Sequence, residues 1–166
     1  MTIRHATMDD MDRILQIIEI GRAYMASKGN PGQWKGEYPG RPQFSQDIQA
    51  GECYVLEEDG TVHAVFVLAM GEDPEYQQLD EGAWCNDLPY GTIHRLCSDG
   101  TQRGVFSQVL AFCRERIPNL RADTNINNTV MQHLLEKHGF CRCGSMHLKN
   151  GNVSFAYHLP WPEQTE

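Results

Sequence analysis

Apolar residues along the chain switch between helical and strand spacing, and these switches predict where the elements lie. Residues 11–25 carry apolar side chains at helical spacing, and so do residues 106–117 and 130–135. Residues 51–58 alternate like a half-buried strand, whereas residues 62–70 are apolar on both faces, as in a central strand. The other predicted elements are a short helix at 44–50 and strands at 2–6, 92–97, 120–124, 140–148 and 153–159.

Turn residues separate these elements. Asp59-Gly60 and Asn150-Gly151 are two-residue signals for β-hairpins. Pro118 ends one predicted helix, and Gly139 caps the next. The predicted order is therefore βααβββαβαββ, a mixed α/β fold in a single domain over residues 1–166.

Charge and hydropathy exclude several classes of partner. The formal net charge is −8 and there is no Lys/Arg-rich run, which argues against nucleic-acid binding. No apolar run approaches the roughly 20 residues of a membrane span. The first residues, MTIRHATMDDMDRI, lack the apolar core and cleavage site of a signal peptide. These patterns predict a cytoplasmic protein without a membrane segment.

The six cysteines do not form a metal-binding pattern. Without an export signal, reduced thiols are expected. Cys141 and Cys143 lie near His138 and His147, but their spacing differs from that of a zinc ribbon and no second pair completes it. Alternation places both thiols on one face of a strand, where they act as small apolar residues. We predict no metal site.

The segment 98–107 combines a strand end, two glycines and a helix start. The first turn of a helix has unpaired N–H groups and the positive end of the helix dipole. Gly100 and Gly104 allow a bulky anion to approach the backbone closely. The pattern therefore predicts a binding site for a diphosphate group.

Two other segments have unusual composition. Residues 29–42 form a Gly/Pro-rich loop whose Trp34 and Tyr38 either line a substrate pocket or anchor the loop on the core. Residues 71–87 are acidic, which is typical of a solvated surface and is also compatible with attraction of a cationic substrate.

Four segments together resemble a known family: IHRLCSD at 93–99, DGTQRGVFSQVL at 99–110, RADTNINNTVMQHLLEKHGF at 121–140 and WKGEYP at 34–39. The third fits the pattern D-T-x-x-x-N-x-x-M/A-x-x-L-[YL]-x-K-x-G-F, with seven residues in register: Asp123, Thr124, Asn128, Met131, Leu134, Gly139 and Phe140. Over nearly its whole length the chain resembles the GNAT superfamily of acyl-CoA-dependent N-acyltransferases.

This resemblance implies a split sheet that holds acetyl-CoA between the strand at 92–97 and the strand at 120–124. The pyrophosphate would bind the loop amides, and the pantetheine arm would pair with the backbone near Leu96 and Ser98. The remaining implied cofactor-binding residues are Gln102, Arg103, Gly104, Val105, Phe106, Ser107 and Asn128. Asn128 would also serve as a plain helix N-cap.

The resemblance also implies a reaction. The acetyl group would pass to a primary amine of a small molecule, amino acid or peptide, by direct attack in a ternary complex. A backbone N–H near Leu96 would polarise the thioester carbonyl. Many family members dimerise through their last strands, so a homodimer is expected.

The sequence departs from the family pattern at two places. The family loop reads [RQ]-x-x-G-x-[GA], whereas here Val105 or Phe106 takes a position of a small residue. Leu135 stands where the family often has a tyrosine that acts as an acid. The alternative prediction is a degenerate CoA-binding module of the same fold without efficient transfer.

Several residues are candidates for removing the amine proton. His94 lies two residues before the implied carbonyl donor, and an imidazole titrates in the suitable range. The alternative interpretation of His94 is a core histidine that is hydrogen-bonded to a neighbour. Glu81 and Asp87 are the alternative bases if the acidic segment folds over the pocket.

Overall fold

The computed structural model describes residues 1–160, which form one eight-stranded sheet with two helices on each face. The strands are β1 (Thr2–His5), β2 (Cys53–Glu58), β3 (Thr61–Met70), β4 (Glu81–Gly82), β5 (Gly91–Ser98), β6 (Leu120–Asn125), β7 (Cys141–His147) and β8 (Val153–Leu159). The helices are α1 (Met11–Ser27), α2 (Arg41–Gln49), α3 (Val105–Arg116) and α4 (Thr129–Lys137). The predicted order of elements is confirmed, with the two-residue β4 as an addition.

The sheet is antiparallel except at one central pair. The strand order is β1-β2-β3-β5-β6-β8-β7-β4, and only β5 and β6 run parallel. The hairpin turns lie where the Asp-Gly and Asn-Gly signals predict them, with positive φ at Asp59, Gly60 and Gly151. The helix of the parallel crossover, α3, connects β5 to β6 and lies on the face opposite α1.

Each face of the sheet has its own apolar core. On one face, Ile14 and Ile18 of α1 and Phe44 of α2 pack with Val65 and Val67 of β3. On the other face, α3 and α4 pack on the sheet through a second set of buried residues: Phe66, Leu68, Val109, Leu110, Leu135 and Tyr157. Burial of both faces explains why residues 62–70 read as a continuous apolar run.

Gly21 allows α1 to approach the central strand. The helix continues past this glycine to Ser27, so Gly21 neither ends nor breaks it. A Cβ atom at this position would lie 2.3 Å from the Sγ atom of Cys97, which itself donates to the carbonyl of Ile17 at 3.4 Å. The contact sets α1 directly against β5.

The central parallel pair separates soon after it begins. Gly91 pairs with Leu120 and Thr92 with Arg121, and no later residues of the two strands pair. Beyond this point β5 stays with β3 as far as Ser98, and β6 stays with β8 as far as Asn125. The predicted split in the sheet is therefore confirmed.

Two further features of the described residues bear on the predictions. No described helix has both the length and the apolarity to cross a membrane. All six cysteines lie within residues 1–160 as free thiols, and no three His, Cys, Asp or Glu side chains of this part are grouped as metal ligands.

Candidate active site

A cavity of about 390 Å³ occupies the gap between β5 and β6. Its wall on the α3/α4 face is mainly apolar and includes Ile93, Leu96, Phe106, Ala122, Met131 and Leu135. Its wall on the α1/α2 face is polar and aromatic and includes Gln33, Trp34, Tyr38, Asp47, His94 and Arg95. The split in the sheet thus gives one cavity two chemically different sides.

The loop after β5 presents unpaired amides beside this cavity. Gly100 and Gly104 have φ values of 78° and 71°, and no atom lies within 4 Å of a Cβ built on either. The backbone N–H groups from Gln102 to Ser107 donate to no other residue of the described chain. Because α3 begins at Val105, its positive dipole end adds to these donors, and together they form an anion site.

Asp99 orders the start of the loop. Its carboxylate accepts from the N–H and hydroxyl of Thr101 at 2.9 and 2.7 Å, and it pairs with Arg13 at 2.7 Å and His63 at 2.8 Å. Burial would raise the pKa of Asp99, but the hydrogen bonds from Thr101 and His63 lower it below its ordinary value. The loop is therefore tied to β3 and α1 by a charged carboxylate.

The bulkiest residue of the loop, Phe106, packs in the core. Phe106 is buried in the α3/α4 core, with its ring centroid 4.8 Å from that of His138 and 6.4 Å from that of Phe140. Ser107 Oγ lies 2.9 Å from His138 Nε2, which connects the start of α3 to the end of α4. Arg103 is exposed, and Val105 is half-buried.

Thr124 is a buried polar residue on the apolar side of the cavity. It lines the cavity, is 1% exposed, and its Oγ1 atom has no hydrogen-bond partner among the described residues. It pairs with Phe155, which packs in the α3/α4 core, so it lies on that face. A buried hydroxyl without a partner costs free energy, and an amide-containing arm in the gap would satisfy it.

A bulge interrupts β5 at the cavity. Val67 pairs with His94, and Val65 pairs with Cys97. Two residues of β5, Arg95 and Leu96, therefore oppose one residue of β3, Phe66. Arg95 has a φ of 47°, in the left-handed region. Its guanidinium makes two bonds to Asp47 of α2, at 2.7 and 2.9 Å, and a third to Tyr38 Oη at 3.1 Å. The side chain thereby clamps the bulge to α2 and to the loop before it.

His94 forms a pair with Asp73 on the polar side. Its Nε2 atom lies 3.2 Å from Asp73 Oδ2, and its Nδ1 atom has no hydrogen bond to a described residue. Asp73 is itself fixed, because it accepts from the N–H of Glu75 at 2.9 Å while its own N–H donates to Tyr90 Oη at 2.8 Å. The bond from His94 lowers the pKa of Asp73. The side chain of His94 is 21% exposed and lines the cavity.

Tyr76 and Asp123 form a second pair across the gap. The Tyr76 hydroxyl donates to Asp123 of β6, and the ring stacks on Trp84. Burial, and then the charge of Asp123, raise the pKa of Tyr76 well above its ordinary value, so the phenol keeps its proton. Leu135, at the position of the family tyrosine, is 2% exposed and lines the cavity with an apolar side chain.

Some residues selected from the sequence lie elsewhere. Glu81 is exposed in β4, where it pairs with Ser145 at the far edge of the sheet, and Asp87 is also exposed outside the cavity. The structure thus does not bring Glu81 to the site. Asn128 is the N-cap of α4: it accepts from the N–H of Met131 at 3.0 Å and donates to Gln33 at 2.8 Å, and it does not line the cavity.

The acidic segment reaches the cavity through residues that the sequence analysis did not single out. Asp73, Glu75 and Tyr76 line the cavity because a short 3-10 turn at Pro74–Tyr76 directs them inward. Asp73 before a proline is a recognisable helix-start signal, with an acceptor side chain at the cap and a proline in the first turn. The signal is present in the sequence as Asp73-Pro74.

Solved structures share this fold. A GNAT-family acetyltransferase from Streptococcus agalactiae 2603 matches at 32% sequence identity and a TM-score of 0.88, over 98% of this chain and 96% of that one. The chain belongs to the GNAT family of acetyltransferases. A putative acetyltransferase from Staphylococcus aureus Mu50 has the same fold at 24% identity and a TM-score of 0.71, over 98% of this chain and 100% of that one.

GNAT membership makes this chain an acyltransferase. A structure with the same fold and lower sequence identity was solved with ligands. The NatC complex, solved with a Gag peptide and CoA, matches at 16% identity and a TM-score of 0.60, over 97% of this chain and 98% of that one. No family model and no curated protein matches the sequence.

Proposed function

We propose that this GNAT chain transfers an acetyl group from acetyl-CoA to a primary amine by direct attack while both substrates are bound. The observation that carries the proposal is the separation of β5 and β6 after their first two residue pairs. The gap leaves an apolar wall on the α3/α4 face and a polar wall with a histidine on the other. A donor and an acceptor can therefore meet there from opposite faces.

The donor side is formed by backbone groups and one hydroxyl. The amides from Gln102 to Ser107 would bind the pyrophosphate, and the exposed guanidinium of Arg103 would add a charge. The separated edge of β5 at Leu96 and Ser98 and the hydroxyl of Thr124 would bind the pantetheine amides. When bound, acetyl-CoA supplies an activated acyl group.

The acceptor side supplies the proton chemistry. His94 Nδ1 faces no other hydrogen-bonding group of the described chain and would accept the proton of the amine, while Asp73 holds the ring through Nε2. Arg95 and Leu96 form the bulge and line the cavity, and the N–H group of one of them would polarise the reacting carbonyl. Trp34 and Tyr38 would form the aromatic wall against the acceptor.

The test measures binding and chemistry separately. Acetyl-CoA is expected to raise the melting temperature of the protein, and Gly104→Val is expected to reduce this shift because it forces a branched side chain into a left-handed backbone conformation at the anion site. Release of the CoA thiol over a panel of amines then detects transfer. Binding of acetyl-CoA without thiol release on any amine would indicate the degenerate module; no binding at all would reject the site.

A further inference from the structure

Carboxylates dominate the charge of the cavity. Among the described residues, Arg95 is the one guanidinium that lines it, and five lining residues are acidic: Asp47, Glu52, Asp73, Glu75 and Asp123. They lie in α2, directly before β2, at the cap and in the body of the 3-10 turn Pro74–Tyr76, and in β6. Four parts of the fold therefore contribute acidic residues to the cavity. An acceptor that carried its own carboxylate would meet like charge on several sides.

Among the described residues, only one of these carboxylates has a partner that is always positively charged. Arg95 balances Asp47 through two hydrogen bonds. Asp73 lies 3.2 Å from His94 Nε2, and this partner is charged only when the ring is protonated. Asp123 accepts from the phenol of Tyr76, and Glu52 accepts from the N–H of Met70 at 2.8 Å, and neither of these donors carries a positive charge. Glu75, which is half-buried, has no side-chain bond to a described residue.

Two other features of the same cavity indicate a bound ligand. The buried hydroxyl of Thr124 has no partner in the described chain. On the acceptor side, Trp34 and Tyr38 line the cavity together with the carboxylates, and aromatic rings of this kind can bind a cation. The acidic lining is therefore part of a cavity that has ligand-binding features in addition to its charge.

We infer that the acceptor is a dicationic aliphatic amine without a carboxylate, such as a diamine or polyamine, and that Glu75 binds the ammonium group that does not react. This inference rests on the proposed transferase function. An amine must lose its proton before it attacks, so the reacting nitrogen cannot balance the surrounding carboxylates. A second ammonium group remains charged throughout and can balance them.

Three amines of matched length test the charge requirement. Putrescine has two ammonium groups, n-butylamine has one, and γ-aminobutyrate replaces the second with a carboxylate. With the full chain and saturating acetyl-CoA, kcat/KM from thiol release is expected to be roughly ten- to a hundredfold higher for putrescine than for n-butylamine, as one charge-assisted hydrogen bond supplies. The value for γ-aminobutyrate is expected to be the lowest.

Variants assign the effect to Glu75. Glu75→Gln should reduce the preference for putrescine over n-butylamine roughly tenfold. Glu72→Gln removes the same charge from an exposed residue of the same segment that does not line the cavity, and it should preserve the preference. An equal loss of preference in both variants would overturn the role of Glu75, because it would indicate a general field effect.

The outcomes separate the two proposals. If n-butylamine or γ-aminobutyrate reacts as efficiently as putrescine, the inference about the acceptor is overturned and the transferase function stands. If acetyl-CoA binds but none of the three amines releases thiol, and a wider panel of amines also fails, both are overturned.

Discussion

At the scale of single residues, His94 is the group whose surroundings fit proton transfer. One ring nitrogen is held by Asp73, and the other is free of described partners at the cavity. We expect His94→Gln to lower kcat at least about a hundredfold, the usual contribution of a positioned base, and to leave the thermal shift by acetyl-CoA unchanged. An unchanged kcat in this variant would contradict the role of His94.

Asp73 acts on this reaction through His94. Asp73→Asn is expected to lower kcat less than His94→Gln does, because the ring remains but loses its orienting charge. The two substitutions together should cost little more than His94→Gln alone, since both interrupt one unit. Additive losses in the double variant would contradict a shared role.

Sequence pattern identified part of this site. His94 was recognisable because it stands on a strand leading to a glycine-containing loop, and backbone amides of a loop need no particular side chain. Glu81 and Asp73 lie eight residues apart in one acidic run, and composition does not distinguish them. Only the 3-10 turn, which directs Asp73 inward, and the pairing of Glu81 with Ser145 decide which carboxylate reaches the cavity.

At the scale of elements, the bulge of β5 depends on a contact with α2. Arg95 holds a left-handed backbone conformation, which is costly for a residue with a side chain, while Asp47 and Tyr38 fix its guanidinium. The side chains of Arg95 and Asp47 are 17% and 11% exposed. Removing one partner of a largely buried pair leaves a charge without compensation.

We therefore expect Asp47→Asn to lower kcat by roughly tenfold or more through misplaced N–H groups of the bulge, and to cost on the order of 3 kcal/mol of stability. Steady-state kinetics and urea unfolding measure the two effects. Asp12→Asn is the control, because it breaks the exposed pair with Arg41 between α1 and α2 and should change neither quantity. Equal falls in kcat for the two variants would contradict the clamp.

The order of elements was predictable because each one has a clear period and clear ends. The Asp59-Gly60 and Asn150-Gly151 turns and the apolar run of β3 determine most of the sheet. The bulge was not predictable, because residues 92–97 keep an ordinary strand pattern and the partner of Arg95, Asp47, is 48 positions away in the sequence. The two-residue β4 is likewise too short to have a period of its own.

At the scale of the whole molecule, one buried histidine makes stability depend on pH. His158 is 0% exposed; its Nδ1 accepts from the N–H of Cys85 at 3.1 Å, and its Nε2 donates to Asn119 Oδ1 at 2.8 Å. Protonation of Nδ1 would place two donors face to face. Burial, together with the charge of Arg121, lowers the pKa of His158 from 6.5 to about 4.

The sign of the effect follows from this lowered pKa. Between pH 6.5 and about 4 the unfolded chain binds a proton that the folded chain does not. The contribution of His158 to the free energy of unfolding is complete above pH 6.5. It is lost as pH falls through this window, and the total loss is about 3 kcal/mol. Urea unfolding at several pH values gives the free energy of unfolding as a function of pH. This free energy should change less steeply with pH for His158→Gln than for the wild type. Equal pH dependence of the two proteins would contradict the assignment.

The short strand β4 has a consequence for solubility. Its Gly82 and the facing Gly144 of β7 approach so closely that a Cβ atom on either would lie 2.0 Å from a carbonyl oxygen of the other strand. An uncovered edge strand is a template on which other copies can add and aggregate. By folding Glu81–Gly82 back onto Ser145 and Gly144, the chain occupies part of its own sheet edge. Two residues without side chains thus help to keep the sheet from growing into a polymer.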